Sequence, residues 1–213
     1  MDALFPQIDK LARLEVTNLT MARGSHTLFQ DLSATVSSND VLWIQGDNGI
    51  GKTTLLEALA GLSRPDGGDV SWFEGEQLTF ANQLVAYQPH KTYTKASLSA
   101  KEDLSFWAKI YNTSSLVAQS LDYVGLSTRK DVSSQNLSAG QRRRLALAKL
   151  IVSQKPVWIM DEPGAAMDSD GITLIDFLIS QHIGRGGSAI IASHDTTRKL
   201  SAKTRKLTLR SGA

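Results

Sequence analysis

The sequence predicts an α/β fold with a mainly parallel sheet at its core and a helical insertion. Three observations carry that expectation. Apolar runs of strand length, Val41–Ile44, Val157–Met160 and Ala189–Ala192, alternate with segments of helical period, the arrangement that builds parallel sheets. Each run gives way to polar groups: a Gly-rich loop, then Asp161-Glu162, then Ser193-His194-Asp195. Strand C-termini of a parallel sheet share one edge and ligands bind in the crevice there, so loop, acid pair and histidine are expected on one side of one sheet. Finally, from about residue 97 to 135 the chain carries two helical faces, Leu104, Trp107, Ala108 and Tyr111, then Leu116, Val117, Leu121 and Val124, closed by Gly125.

The Gly-rich loop organises the rest. Ile44–Thr54 contains G-x-x-x-x-G-K-[ST], with Gly46, Gly51, Lys52 and Thr53 in the fixed places. A strand runs into it and Thr53–Ala60 reads as a helix leaving it, the context a phosphate-binding loop requires. Glycines let successive backbone N–H groups turn inward around an anion, and the helix N-terminus adds unsatisfied donors. The candidate phosphate cradle is Gly46, Asp47, Asn48, Gly49, Ile50, Gly51, Lys52, Thr53 and Thr54. Lys52 reaches terminal phosphates, and the Thr53 hydroxyl is a candidate ligand for the Mg²⁺ that bridges them.

Composition sets the bounds. The 213 residues suffice for one α/β domain with an appended subdomain. A net charge of +2 gives no global field for nucleic acid. The absence of cysteine excludes disulfides, Cys-based zinc sites and thiol catalysis, and fits a reducing compartment. The first ten residues lack a basic region followed by an apolar run, so no signal peptide is expected. No run approaches the roughly 18 apolar residues of a spanning helix, so a membrane role is expected to be peripheral.

In chain order, Pro6 interrupts the apolar residues Leu4, Phe5, Ile8 and Leu11, and a loosely ordered leader over 1–11 is expected ahead of a single domain, 12–213. Leu14–Leu19 alternates as a half-buried strand does, Arg23-Gly24-Ser25 marks a turn, Leu28–Val36 is strand-rich, and Ser37–Asp40 turns into the loop strand. Gly61 caps the loop helix, with Pro65 beyond it. Asp66–Asp69 is a tight-turn signal before the strand Val70–Phe73, and the strand Val85–Tyr87 ends at Gln88-Pro89. Ser138 and Gln141 have capping-box spacing at the head of a helix whose buried face is Leu147, Leu150 and Ile151. Ile172–Ile183 reads as a helix, Gly186-Gly187 as a turn and Lys206–Arg210 as a final strand.

Asp161, at a strand end, is placed to hold Mg²⁺ directly or through water. Side chains alternate along a strand, so Glu162 points elsewhere and is the candidate that orients and polarises water. His194 and Gln88 end neighbouring strands: the first is expected near the γ-phosphate, the second near the metal and the attacking water. Leu137-Ser-Ala-Gly-Gln141 offers a second anion cradle at a helix N-terminus. Arg142, Arg143 and Arg144 in that first turn oppose the dipole by about 0.3–1 kcal/mol each, which predicts an anionic or acidic neighbour.

In this order, the phosphate loop, Gln88, Leu137–Gln141, Val157–Glu162, Met167-Asp168 and His194 resemble an ATP-binding cassette (ABC) ATPase over nearly the whole chain. Leu137, Ser138, Ala139, Gly140 and Gln141 resemble the family signature Leu-Ser-Gly-Gly-Gln, with Ala139 at the third place. Thr27–Ser33, Gly61–Gly68, Leu137–Ala148, Val157–Pro163 and Met167–Gly171 resemble, within the family, the heme-exporter ATP-binding subunits of cytochrome c biogenesis. The resemblance implies a phosphate-loop NTPase fold of ABC type with an antiparallel β subdomain. It implies ATP and Mg²⁺ as ligands, with Thr53, Gln88 and Asp161 at the metal and Glu162, His194 and Gln88 in catalysis. It implies a homodimer whose signature residues act on the partner copy's nucleotide, with Asp168 in a dimer-facing loop. Integral membrane permease subunits of a cytochrome c maturation complex are the implied partners, at the cytoplasmic face of the bacterial inner membrane, and nucleic acid is not. A soluble cassette ATPase serving a scaffold, as in iron–sulfur cluster assembly, or the ATPase of another ABC transporter remain open. A DNA- or ribosome-binding cassette protein would carry a coiled-coil insertion or tandem cassettes, and neither is present. There are two departures. Arg23 stands where the family stacks an aromatic on adenine, and a guanidinium can also stack on a base. Gly164-Ala-Ala-Met167 replaces a bulkier run, which predicts a looser loop carrying Asp168.

Overall fold

In the computed structural model, residues 4–92, 95, 97–194 and 203–210 are described. The elements are β1 (Ala12–Arg23), β2 (His26–Ser37), β3 (Asp40–Gln45), α1 (Lys52–Leu59), β4 (Gly67–Glu74), β5 (Gln77–Thr79), α2 (Ala81–Leu84), β6 (Val85–Gln88), α3 (Ala100–Ile110), α4 (Val117–Tyr123), α5 (Ala139–Ser153), β7 (Val157–Asp161), α6 (Ser169–Gly184), β8 (Ser188–Ala192) and β9 (Lys203–Thr208). They form a five-stranded sheet, order β6-β7-β8-β3-β9, and a four-stranded sheet, order β2-β1-β4-β5. Every pair in the first is parallel and every pair in the second antiparallel.

The unbroken apolar runs follow from burial on both faces of the parallel sheet. Val41 and Trp43 of β3, Trp158 and Met160 of β7, and Ala189 and Ile191 of β8 point into one core with α3, α4, α5 and α6. The alternate residues, Leu42, Ile44, Val157, Ile159, Ile190 and Ala192, point into a second core with α1 and the antiparallel sheet. The loop strand thus lies in the middle of the molecule, and its C-terminal end opens at the sheet edge.

Local chemistry sets the ends. Past α1, Gly61 has φ +73°, its N–H donates to Ala58 O at 3.0 Å, and Leu62 N–H donates to Glu57 O at 2.8 Å. This paired closure uses the left-handed freedom of glycine. Asp66–Asp69 is not a separate turn: β4 already begins at Gly67. Gly68, at φ +75°, sits where β1 and β4 shift register, and a Cβ there would lie 2.3 Å from Asn18 O. The last strand covers 203–208 rather than 206–210. β5 and α2, with Leu78 and Phe80 exposed, follow no period that the sequence displays.

Residues 4–8 form neither helix nor strand, yet they are seated rather than loose. Leu4 is fully buried, Gln154 Nε2 donates to its carbonyl at 3.2 Å, and Arg185 donates to Pro6 O at 3.0 Å. The Phe5 ring meets Tyr123 edge-on at 5.0 Å and lies 4.7 Å from the Arg185 guanidinium. No helix among the described residues is long and apolar enough to cross a membrane.

His182 of α6 makes the fold sensitive to acid. It is buried, stacks on Trp158 at 4.0 Å with an 8° interplanar angle, and its Nε2–H donates to Pro156 O at 3.1 Å. Burial, aided by the nearby Arg185 charge, pushes its pKa down to about 3. The folded imidazole stays neutral where the unfolded one takes up a proton, near pH 6.5. This contribution to stability is therefore complete above pH 6.5 and falls by about 1.4 kcal/mol per unit below it. Urea unfolding is expected to lose about 2 kcal/mol between pH 7 and pH 5. His182→Gln removes most of that slope; an unchanged slope would assign it to other groups.

Candidate active site

The phosphate loop connects β3 to α1. Gly46 and Gly51 have φ of +149° and +106°. A Cβ at Gly46 would lie 2.9 Å from Ile50 and 3.1 Å from Leu209 O, and one at Gly51 3.2 Å from Leu28. The motif needs glycine there for conformation and for space. Gly51 is the N-cap of α1, no side chain caps the helix, and no acidic residue lies in its first turn. The first N–H groups of α1 are left to serve an anion. Lys52 is buried, its Nζ donating to Gly46 O at 2.7 Å and Asp47 O at 3.0 Å.

Asp161 ends β7 and is buried; Thr53 Oγ1 donates to its Oδ2 at 2.6 Å. This joins the loop to the acid pair and presents hard oxygen donors side by side. Among the described residues no three His, Asp or Glu cluster as a metal cage. Mg²⁺ needs none, since it keeps waters and phosphate oxygens as ligands. Glu162 leaves the strand in the left-handed region, φ +46°, with its N–H bonded to Ala192 O at 2.9 Å. The conformation, costing of order 1–3 kcal/mol, turns its carboxylate toward His194, 3.3 Å from Nε2.

A cleft of about 530 Å³ is lined by Arg23, Asn48, Gly49, Gly51, Lys52, Thr53, Thr54, His90, Asp161, Glu162, Ala165 and His194. The residues singled out from three strand ends and the loop therefore meet in one place, with Arg23 at the rim from the end of β1. Gln88 does not line this cleft. It ends β6 beside Met160, is buried, and neither amide atom has a hydrogen-bond partner among the described residues. It faces an adjoining groove of about 280 Å³ lined also by Tyr87, Pro89, Trp107, Tyr111, Arg142 and Lys149.

Leu137–Gln141 and Asp168 are not among the residues that line the cleft. Ser138 caps α5: its Oγ accepts from Gln141 N at 3.1 Å while Gln141 Oε1 accepts from Ser138 N at 3.0 Å. Asp168 caps α6, accepting from Gly171 N at 2.8 Å. Its loop is not loosened by the small residues before it. Ala165 N bonds Glu162 O at 3.1 Å, Met167 N bonds Gly164 O at 3.1 Å, and a Cβ on Gly140 would come within 3.1 Å of Ala166 O. Small side chains let the signature helix and this loop approach closely.

The three arginines of α5 are satisfied by carbonyls more than by acids. Arg142 donates to Leu137 O. Arg144 donates to Val124 O at 3.1 Å and reaches Asp168 at 3.6 Å. Arg143 is buried and donates to Pro89 O at 3.2 Å and His90 O at 2.9 Å. Burial pulls its pKa down, and the Asp161 and Glu162 charges oppose that. The hold of Arg143 was not singled out from the sequence, because its partners are the carbonyls of Pro89 and His90, 54 and 53 residues away.

The family model for ABC transporters matches residues 29–165. The Cytochrome c biogenesis ATP-binding export protein CcmA of Cereibacter sphaeroides is 40% identical over 181 residues, covering 85% of this chain and 82% of the relative. The protein of the same name from Vibrio vulnificus is 38% identical over 203 residues, covering 92% and 98%. The one from Haemophilus influenzae is 39% identical over 188 residues, covering 85% and 89%. Among solved structures, the ATP-binding subunit of an ABC transporter superposes with a TM-score of 0.77 at 22% identity, covering 85% of this chain and 79% of that one. Cleft, fold and relatives agree: the chain belongs to the ABC transporter family, among its ATP-binding, ATP-hydrolysing subunits.

Proposed function

We propose that this chain is the ATPase subunit of a heme-exporter type complex of cytochrome c maturation. It works as a homodimer on integral membrane permease subunits, held peripherally at the cytoplasmic face of the bacterial inner membrane. The relatives' names support the process. The observation that carries the chemistry is the Thr53–Asp161 bond, which sets hydroxyl, carboxylates and Lys52 around one cleft.

Loop N–H groups and the α1 N-terminus hold the β- and γ-phosphates, with Lys52 as the point charge. Thr53 and Asp161 would hold Mg²⁺, which would neutralise charge on the phosphate oxygens. Glu162 orients a water in line with the γ-phosphorus and polarises it, and His194 positions Glu162 and donates to the γ-phosphate. Arg23 stacks on the base. Gln88, at the groove edge, would reach the metal and the attacking water, which couples the groove to hydrolysis. Ser138 and the α5 N-terminus serve the γ-phosphate held by the other copy, and Asp168 lies beside that interface. The groove receives the permease.

Fractionation tests the process. The chain is expected with membranes when co-expressed with the permease subunits of its own complex, and not without them. Membrane association that ignores those subunits, or a soluble scaffold as the co-purifying partner, would favour the iron–sulfur alternative.

A further inference from the structure

Gln88, Pro89 and His90 form the wall between two cavities. Gln88 and Pro89 line the groove and His90 lines the nucleotide cleft. One guanidinium grips that wall from behind: Arg143 donates to the Pro89 and His90 carbonyls at 3.2 and 2.9 Å. Arg143 is only 5% exposed, so its charge has been taken out of water. Leaving a buried cation unpaired is strongly unfavourable; these carbonyls, with the acid pair's charges nearby, make its placement tolerable. It is the fifth residue of α5, two residues past Gln141.

We propose that Arg143 is a positioning residue for ATP hydrolysis, a clamp that fixes the Gln88–His90 wall to the helix headed by the signature turn. The inference rests on the roles proposed above for Gln88 and Glu162. Through the clamp, a push on the groove and the approach of Ser138 to the neighbouring copy's nucleotide become one displacement. Loosening it leaves the phosphate loop intact, so nucleotide still binds. Gln88 then samples more positions, and fewer bound nucleotides meet an aligned water. Two parallel N–H bonds define an orientation that the single ammonium of lysine defines less well.

The test compares full-length wild type, Arg143→Gln, Arg143→Lys, Gln88→Ala and the Arg143→Gln/Gln88→Ala double variant with Mg²⁺·ATP. Arg143→Gln is expected to lower kcat by about tenfold, the lower end of what is lost when a group that orients metal-site residues is removed, while the ATP Kd stays within about twofold. Arg143→Lys recovers part of the rate. The double variant turns over no more than about twofold below its slower parent, because both changes act on one step. Wild-type kcat in Arg143→Gln, a parallel loss of affinity and rate, or effects that multiply would each overturn the clamp. If Arg143→Gln does not fold, amide exchange decides on Arg143→Lys. Faster exchange at 88–92 with unchanged exchange at the α1 N-terminus supports the clamp, and unchanged exchange at 88–92 overturns it. Glu162→Gln separates the failures: if it abolishes turnover while Arg143→Gln keeps the wild-type kcat, the clamp alone falls.

Discussion

Glu162→Gln is expected to bind Mg²⁺·ATP with nearly wild-type affinity and to hydrolyse it about 10²–10⁴-fold more slowly, the usual worth of a positioned base. The substitution keeps the size of the side chain and its left-handed backbone position next to Ala192. It removes the charge that is proposed to polarise water and that faces His194 at 3.3 Å. Thr53, Asp161 and Lys52 are untouched, so ground-state binding persists, and the loss falls on kcat alone. Single-turnover hydrolysis with pre-bound ATP makes the distinction. Near-normal turnover would move the catalytic role to another residue.

Lys52→Ala acts on the other side of that division. The ammonium is buried at the head of α1, aimed by two loop carbonyls at the place where phosphates would sit. A charge-assisted hydrogen bond at such a site is worth about 1.5–3 kcal/mol, and more where several oxygens share the cation. ATP affinity is expected to fall by about 100-fold or more, with ADP also weakened because the β-phosphate shares the contact. Fluorescent-nucleotide titration of the folded variant measures this. Unchanged affinity would mean that the loop is not the nucleotide site.

What the sequence displayed and what it hid have physical causes. The loop was legible because its chemistry is backbone chemistry, and glycine at Gly46 and Gly51 is the only residue that suits both conformation and space. The parallel strands were legible because burial on both faces leaves runs such as Val157–Met160 wholly apolar. The seating of the first residues was not, because Leu4 and Pro6 are held by Gln154 and Arg185, 150 and 179 positions away. β5 and α2 were hidden for the opposite reason: Leu78 and Phe80 are 70% and 76% exposed, and the one buried residue of the two elements, Leu84, cannot impose a period. The arginine run predicted an acidic neighbour from a conflict with the helix dipole, but α5 begins at Ala139, so Arg143 and Arg144 lie past its first turn, where the dipole's effect has fallen off. The main partners of Arg143, carbonyls 53 and 54 residues away, leave no side-chain trace in sequence.

The proposed homodimer makes one chain unable to complete its own site: its phosphate loop lines the cleft and Ser138 does not. In that dimer two copies, head to tail about a two-fold axis, would bring each signature turn to the other's nucleotide. ATP would then be part of the interface, and dimerisation is expected to depend on it. The direct measurement is a crosslink between Ser138→Cys and Asn48→Cys, placed together in the Glu162→Gln chain, which has no other thiol. Oxidation is expected to give a disulfide-linked dimer with Mg²⁺·ATP and little without nucleotide. A disulfide that forms only within one chain, or an ATP-loaded protein that never links between chains, would contradict the account.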